Sequence, residues 1–156
     1  MNKGERISQF VRDLDSTSAV SQSSTVAGNP FYRAFFQCWN EQRYYEAHDV
    51  LEHIWLETTS DDARYFKGLI QAAGAFVHLQ KNFEHPGHPK HGRRLGPAVR
   101  LFRLAEENLA PFAPTRHSFD VTGFLALLAT FRSAISTREP MHNPWSPANA
   151  PRLELK

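Results

Sequence analysis

Residues 44–81 read YYEAHDVLEHIWLETTSDDARYFKGLIQAAGAFVHLQK. The Thr58-Thr59-Ser60 break divides this stretch into two amphipathic helices, one over roughly 42–58 and one from Asp61 or Asp62 to about Lys81. At about 100° per residue, Tyr44, Ala47, Val50, Leu51, Ile54 and Trp55 form one apolar arc on the first of them. Glu46, Asp49, His53 and Glu57 group opposite, as a solvated face does. His48 and Glu52 stand apart from that face. They fall beside Trp55, with Tyr45 and Leu56 on their other side. An unpaired carboxylate in such a place costs several kcal/mol, so Glu52 requires a partner.

The second helix of the stretch is apolar around most of its circumference, which makes it the central helix of a bundle. Its polar stripe is narrow: Lys67, Gln71 and His78 point one way, and Gly74 lies among them. Glycine costs about 1 kcal/mol inside a helix, so close approach of a neighbouring helix or a ligand is expected there. Antiparallel packing of the two helices would gather His48, Glu52, Gln71 and His78 inside the bundle. Three readings follow. The cluster is a hydrogen-bonded network that fixes helix register. It is a site for a small polar or anionic molecule. Or it is a divalent-metal site, with His48, Glu52 and His78 as ligands and Asp49 or Glu46 as base, as in a hydrolytic enzyme. The paired Glu-x-x-His pattern of di-metal bundles is absent from the sequence.

YYEAHDVLEHIWLE followed by KGLIQAAGAFVHLQKN resembles a bacterial and archaeal family, domain of unknown function 309. The resemblance rests on Glu46, His48, Asp49, Glu52 and Trp55, then on Gly68, Leu69, Ile70, Gln71 and His78, and spans about residues 31–110. Asp49 replaces the more usual glutamate and keeps the charge. The closing NPWSPANAPRLEL is similar to the longer members. The resemblance implies an all-α fold and no established activity. It also draws attention to Glu46, which would face another helix, the N-terminal segment or a second subunit.

Outward from this centre the pattern stays helical. Asn29-Pro30 is a helix start, an N-cap residue followed by proline at the first helical position, and Phe31, Phe35 and Phe36 turn inward along a helix to about Trp39. A fourth helix fits roughly 96–110, with Val99, Phe102, Ala105 and Leu109 on one face. Asp120 caps a fifth that carries Phe124, Leu125, Leu128, Phe131 and Ile135. No segment alternates as a strand does. The expected fold is all-α: one bundle of about five helices over residues 30–138. Residues 1–29 hold a short helical pattern (Ile7, Phe10, Val11, Leu14) and a Ser/Thr-rich linker, with seven Ser/Thr among residues 16–25. Residues 139–156 read as an extended tail, since Pro140, Pro144, Pro147 and Pro151 punctuate it, and Trp145 would pin it to the bundle.

Composition agrees. The chain has 156 residues, and twelve of its aromatics fall within residues 31–83. Mean hydropathy is nonetheless −0.48, so the ends must be polar. A net charge of +2 is too small to demand nucleic acid or an anionic membrane as partner. The single cysteine, Cys38, excludes an intrachain disulfide and reads as a buried, inert thiol. With no secretory signal and no long apolar run, a cytoplasmic protein is expected. His85, His88 and His91 share a side of an extended loop, where solvated histidines are the simpler reading than a metal site. Lys90, Arg93, Arg94, Arg100 and Arg103 form a basic patch that would serve a nucleic-acid or acidic partner, or else pair with Glu106 and Glu107 on an exposed helix face. The site expected to carry function is therefore Glu46, His48, Asp49, Glu52, Gln71 and His78. Its occupant is a small polar ligand or partner, or a divalent metal, with a homo-oligomer also open.

Overall fold

A computed structural model describes residues 25–89, 93–135 and 142–156. The N-terminal pattern of Ile7, Phe10, Val11 and Leu14, the linker up to Ser24, Lys90, His91 and Arg138 lie outside the described residues. Among those described, the order is α1 (Pro30–Asn40), α2 (Tyr44–Glu57), α3 (Asp62–Glu84), α4 (Leu95–Leu109), a 3-10 turn (Ala110–Phe112), β1 (Thr115–Arg116), β2 (Phe119–Asp120) and α5 (Val121–Ala134). The chain is therefore mostly helical with a minimal antiparallel pair, Thr115 opposite Asp120 and Arg116 opposite Phe119. That pair is a small addition to the expected helical bundle. Two residues per strand are too few to show alternation in sequence.

The helix starts follow local chemistry. Asn29 Oδ1 accepts from the amides of Phe31 and Tyr32, and Asp120 Oδ1 accepts from Gly123 N. Asp61 occupies the N-cap position of α3, but its side chain makes no capping bond. Ser60 Oγ accepts from Asp62 N instead, and the Asp62 carboxylate is drawn to partners on a distant loop. The α1–α2 turn is closed by Arg43 N donating to Cys38 O and Gln42 N donating to Trp39 O. Gln42 takes φ 61° there, a left-handed position usually given to glycine.

α3 packs most extensively on α4 and α2, and α2 also packs on α1. The core they enclose is rich in rings: Trp39, Tyr44 and Phe76 meet at centroid distances of 4.6–5.4 Å, and Phe76 continues to Phe102 and Phe131. Gly68 and Gly74 both serve the approach of α4. A Cβ on Gly68 would lie 2.6 Å from Leu109 Cγ, and one on Gly74 would lie 3.2 Å from Leu101 Cδ1. Gly74 thus meets a neighbouring helix, one of the two causes expected for it.

Residues 142–156 lie along the helices. Trp145 is buried, donates from Nε1 to Tyr44 Oη at 3.1 Å, and packs on Phe83. Trp39 Nε1 donates to Pro151 O, and Asn40 both donates to Leu153 O and accepts from Leu153 N. Leu155 bridges to Phe119.

Candidate functional site

α2 and α3 run side by side with a hollow of about 210 Å³ at their seam, lined by His48, Glu52, Trp55, Lys67, Ile70 and Gln71. The i, i+4 spacings of His48 with Glu52 and of Lys67 with Gln71 put each pair on one helix face, and the two faces meet across the seam. His48 Nδ1 lies 3.1 Å from Asp49 Oδ1 and 3.7 Å from Glu52 Oε2. Its ring also stacks on Tyr45 at a centroid distance of 6.5 Å. His48, Asp49 and Glu52 are all half-buried, and one ligand atom of each lies within 4.8 Å of the other two. Asp49, placed on the solvated face by the wheel, therefore joins His48. It borders a second groove on the outer side of α2 with Glu52, His53 and Leu56.

Two expected members are elsewhere. His78 does not line the hollow. It lies seven residues beyond Gln71, about 10 Å along the helix axis. Its Nδ1 meets Arg94 Nη1 at 3.1 Å. Burial lowers the His78 pKa, and the nearby charges of Arg94, Arg100 and Lys81 lower it further. His78 therefore faces the residues before α4, and the proposed ligand set of His48, Glu52 and His78 is not brought together. Glu46 is buried, which corrects its assignment to solvent, and it faces α1 rather than the seam. Arg43 pairs with it and with Glu41, bridging the α1–α2 turn to the first turn of α2.

Gln71 is tied to α4. Asn108 Nδ2 donates to Gln71 Oε1 at 2.7 Å, and Arg64 Nε donates to Asn108 Oδ1 at 3.2 Å. Asn108 escaped the sequence reading. The available signal was a polar residue beside Leu109, at the level where Gly68 invites contact.

A further cluster was also missed. Asp62 Oδ1 accepts from Arg116 Nε and Nη2 and lies 2.8 Å from His117 Nε2. Burial raises the Asp62 pKa, but the hydrogen bonds and charges of His117 and Arg116 outweigh it and hold the carboxyl below its ordinary value. Beneath it, the Tyr32 and Tyr65 hydroxyls meet at 2.7 Å, and they lie 3.1 and 3.3 Å from the carbonyls of His117 and Arg116. Burial pushes both phenols far up. The cluster locks the β1–β2 loop, where His117 and Ser118 have φ of 47° and 64°. Its partners sit 54 and 55 residues away from Asp62, so no local pattern reports them.

The remaining candidates resolve differently. Cys38 is fully buried, and its thiol is pushed up to about 12 by burial above all. His85 and His88 are exposed and belong to a turn, with rings 6.5 Å apart. In the basic patch, Arg93, Arg100 and Arg103 are exposed and Arg94 is engaged by His78. Glu106 pairs with Arg132 of α5 at 2.7 Å rather than with the arginines of its own helix. A larger hollow of about 420 Å³ lies between the start of α5 and residues 152–156, but Asp120 on its rim is committed to capping α5. No described helix is long and apolar enough to cross a membrane.

No curated protein and no solved structure matches the chain. Residues 32–87, from Tyr32 in α1 to Gly87 beyond α3, match the model of the domain of unknown function DUF309.

Proposed function

We propose that this chain is a binding protein that takes a small polar molecule at the α2–α3 seam. One observation carries the reading: a hollow at the centre of the family-matched segment, lined by an acid, an imidazole, an amine and an amide around Trp55 and Ile70. Apolar walls with a few convergent polar groups are the usual make-up of a ligand site. At about 210 Å³ the hollow is below the roughly 300 Å³ at which drug-sized sites begin, so the ligand is metabolite-sized rather than nucleotide-sized.

The test is a screen of small polar metabolites by thermal shift, with Trp55 fluorescence as the local reporter. Binders should raise the melting temperature, and Glu52→Gln and Gln71→Ala should abolish their effect. Binders that ignore both substitutions, or an empty screen, would remove the reading.

A second reading has its own observation, the convergence of His48, Asp49 and Glu52. One imidazole nitrogen and two carboxylates suit a divalent transition metal and leave positions open for water or ligand. Such a cation would supply a Lewis acid at the edge of the hollow. Titration calorimetry with Zn²⁺ and Mn²⁺ should then show one site per chain, lost in His48→Ala. Stoichiometric binding that survives that substitution would place any metal elsewhere.

A further inference from the structure

The polarity of the seam hollow is ordered, and a chain of hydrogen bonds fixes the order. Arg64 Nε donates to Asn108 Oδ1. A guanidinium carries donors only, so the carbonyl end of the Asn108 amide must face Arg64 and its NH₂ must face away. That NH₂ donates to Gln71 Oε1 at 2.7 Å. Gln71 therefore spends its carbonyl on Asn108 and keeps its own NH₂ as the polar end for the hollow it lines. Lys67, one turn earlier on α3, lines the same wall, and among the described residues it forms no ion pair, so its ammonium is available to a ligand there. The α2 wall is of opposite character. Glu52 lines the hollow from α2, and its Oε2 lies 3.7 Å from His48 Nδ1. Trp55 and Ile70 supply the apolar surface between the walls.

We propose that this hollow selects a small zwitterion, a free α-amino acid with a branched or aromatic side chain. Its carboxylate would sit on Gln71 Nε2 and Lys67 Nζ, its ammonium on Glu52, and its side chain on Trp55 and Ile70. The proposal rests on the seam being a ligand site and narrows the class of ligand. A plain anion would satisfy the α3 wall but face Glu52. A plain cation would satisfy Glu52 but face Lys67. A neutral apolar molecule would strip water from all of these groups and give none of them a partner, which is costly for each. Volume agrees: about 210 Å³ holds roughly seven waters at ~30 Å³ each, which suits a single amino acid.

The experiment uses L-leucine and L-phenylalanine, each beside its deaminated acid (4-methylpentanoate, 3-phenylpropanoate) and its decarboxylated amine (3-methylbutylamine, 2-phenylethylamine). Affinities are read by calorimetry on the full chain. An amino acid should bind at least about tenfold more tightly than either of its half-molecules, because each half leaves one wall unpaired. Glu52→Gln should weaken the amino acid and the amine about tenfold and spare the acid. Lys67→Met should do the reverse. Asn108→Leu, at a position that does not itself line the hollow, should weaken amino acid and acid several-fold by releasing the Gln71 amide. These positions are exposed or half-buried, and circular dichroism confirms that each variant is folded. Half-molecules that bind as tightly as the amino acid would overturn the zwitterion. So would amino acids that fail while other small molecules bind at the seam, and in that case the ligand site itself stands. If nothing binds, or binding ignores every seam substitution, both readings fall together.

Discussion

Two glycines on one helix should respond in opposite directions to the same change. Gly68 and Gly74 both lie within α3 and both face α4. Replacement by alanine brings each the same gain in helix propensity, about 1 kcal/mol. What opposes the gain differs. At position 68 the new methyl would lie 2.6 Å from Leu109 Cγ, 2.9 Å from Leu109 Cδ2 and 3.3 Å from Asn108 Cβ. Ordinary carbon contacts need roughly 3.5–4.0 Å, so about 1 Å of movement is required. Leu109 is fully buried, and the atom struck is its branch point rather than a free end, so α4 itself must shift. Overpacking costs about 1–3 kcal/mol, and a clash at a buried branch point that moves a helix belongs to the upper part of that range, about 2–3 kcal/mol, so Gly68→Ala should lose about 1–2 kcal/mol net. At position 74 the nearest atom is a terminal methyl of half-buried Leu101 at 3.2 Å, which a rotamer adjustment relieves. Gly74→Ala should gain about 0.5–1 kcal/mol. Urea denaturation measures both, provided the slopes match wild type. A Gly68→Ala variant as stable as wild type would refute the reasoning, and so would a shared sign for the two changes.

Other outcomes follow from the same contacts. Asp62→Asn should cost about 1–3 kcal/mol at pH 7, because it removes charge-assisted bonds to Arg116 and His117. The folded Asp62 pKa is depressed. Its stabilisation is therefore complete above the unfolded value near 4 and is lost as pH falls through the lower folded value, so the variant should show a flatter acid-unfolding profile. Trp145→Phe should lower stability by about 1 kcal/mol by unpairing the buried Tyr44 hydroxyl, and Trp145→Ala by about 3–5 kcal/mol; equal losses in thermal melts would contradict a separate role for the indole N–H. Cys38, pushed up to about 12, should react with a thiol reagent no faster than the protein unfolds and within seconds in guanidinium, and rapid native labelling would contradict its burial.

The sequence was most informative where a local rule suffices. Asn29 and Asp120 announce helix starts with their own side chains, and period-3.6 patterning places the core of α1 to α5 within a few residues of the observed bounds. The wheel sets His48 and Glu52 on the Trp55 side, and these residues line one hollow with Gln71. It failed where a long-range partner decides. Glu46 looks solvated on its own helix but is buried against α1 by Arg43, whose position depends on the left-handed Gln42 turn. His78 shares a stripe with Gln71 but lies too far along α3 to share its hollow, and Arg94 takes it instead. Asp62 looks like a cap and is an anchor for a loop more than fifty residues away. Helix periodicity reports the direction of a side chain, not the identity of what meets it.

The contacts of α1 with residues 151–153 bear on the order of events during synthesis. Trp39 and Asn40 lie in the first described helix, and their side-chain partners follow 112 and 113 residues later. At about 5–20 residues per second, translation leaves these groups waiting on the order of 6–20 s. A nascent bundle that already has α1 to α4 still carries the Trp39 N–H and both ends of the Asn40 amide without their final partners. Closure of this seam is thus a late event, since a chain interrupted before Pro151 lacks the groups that pair with Trp39 and Asn40 of α1.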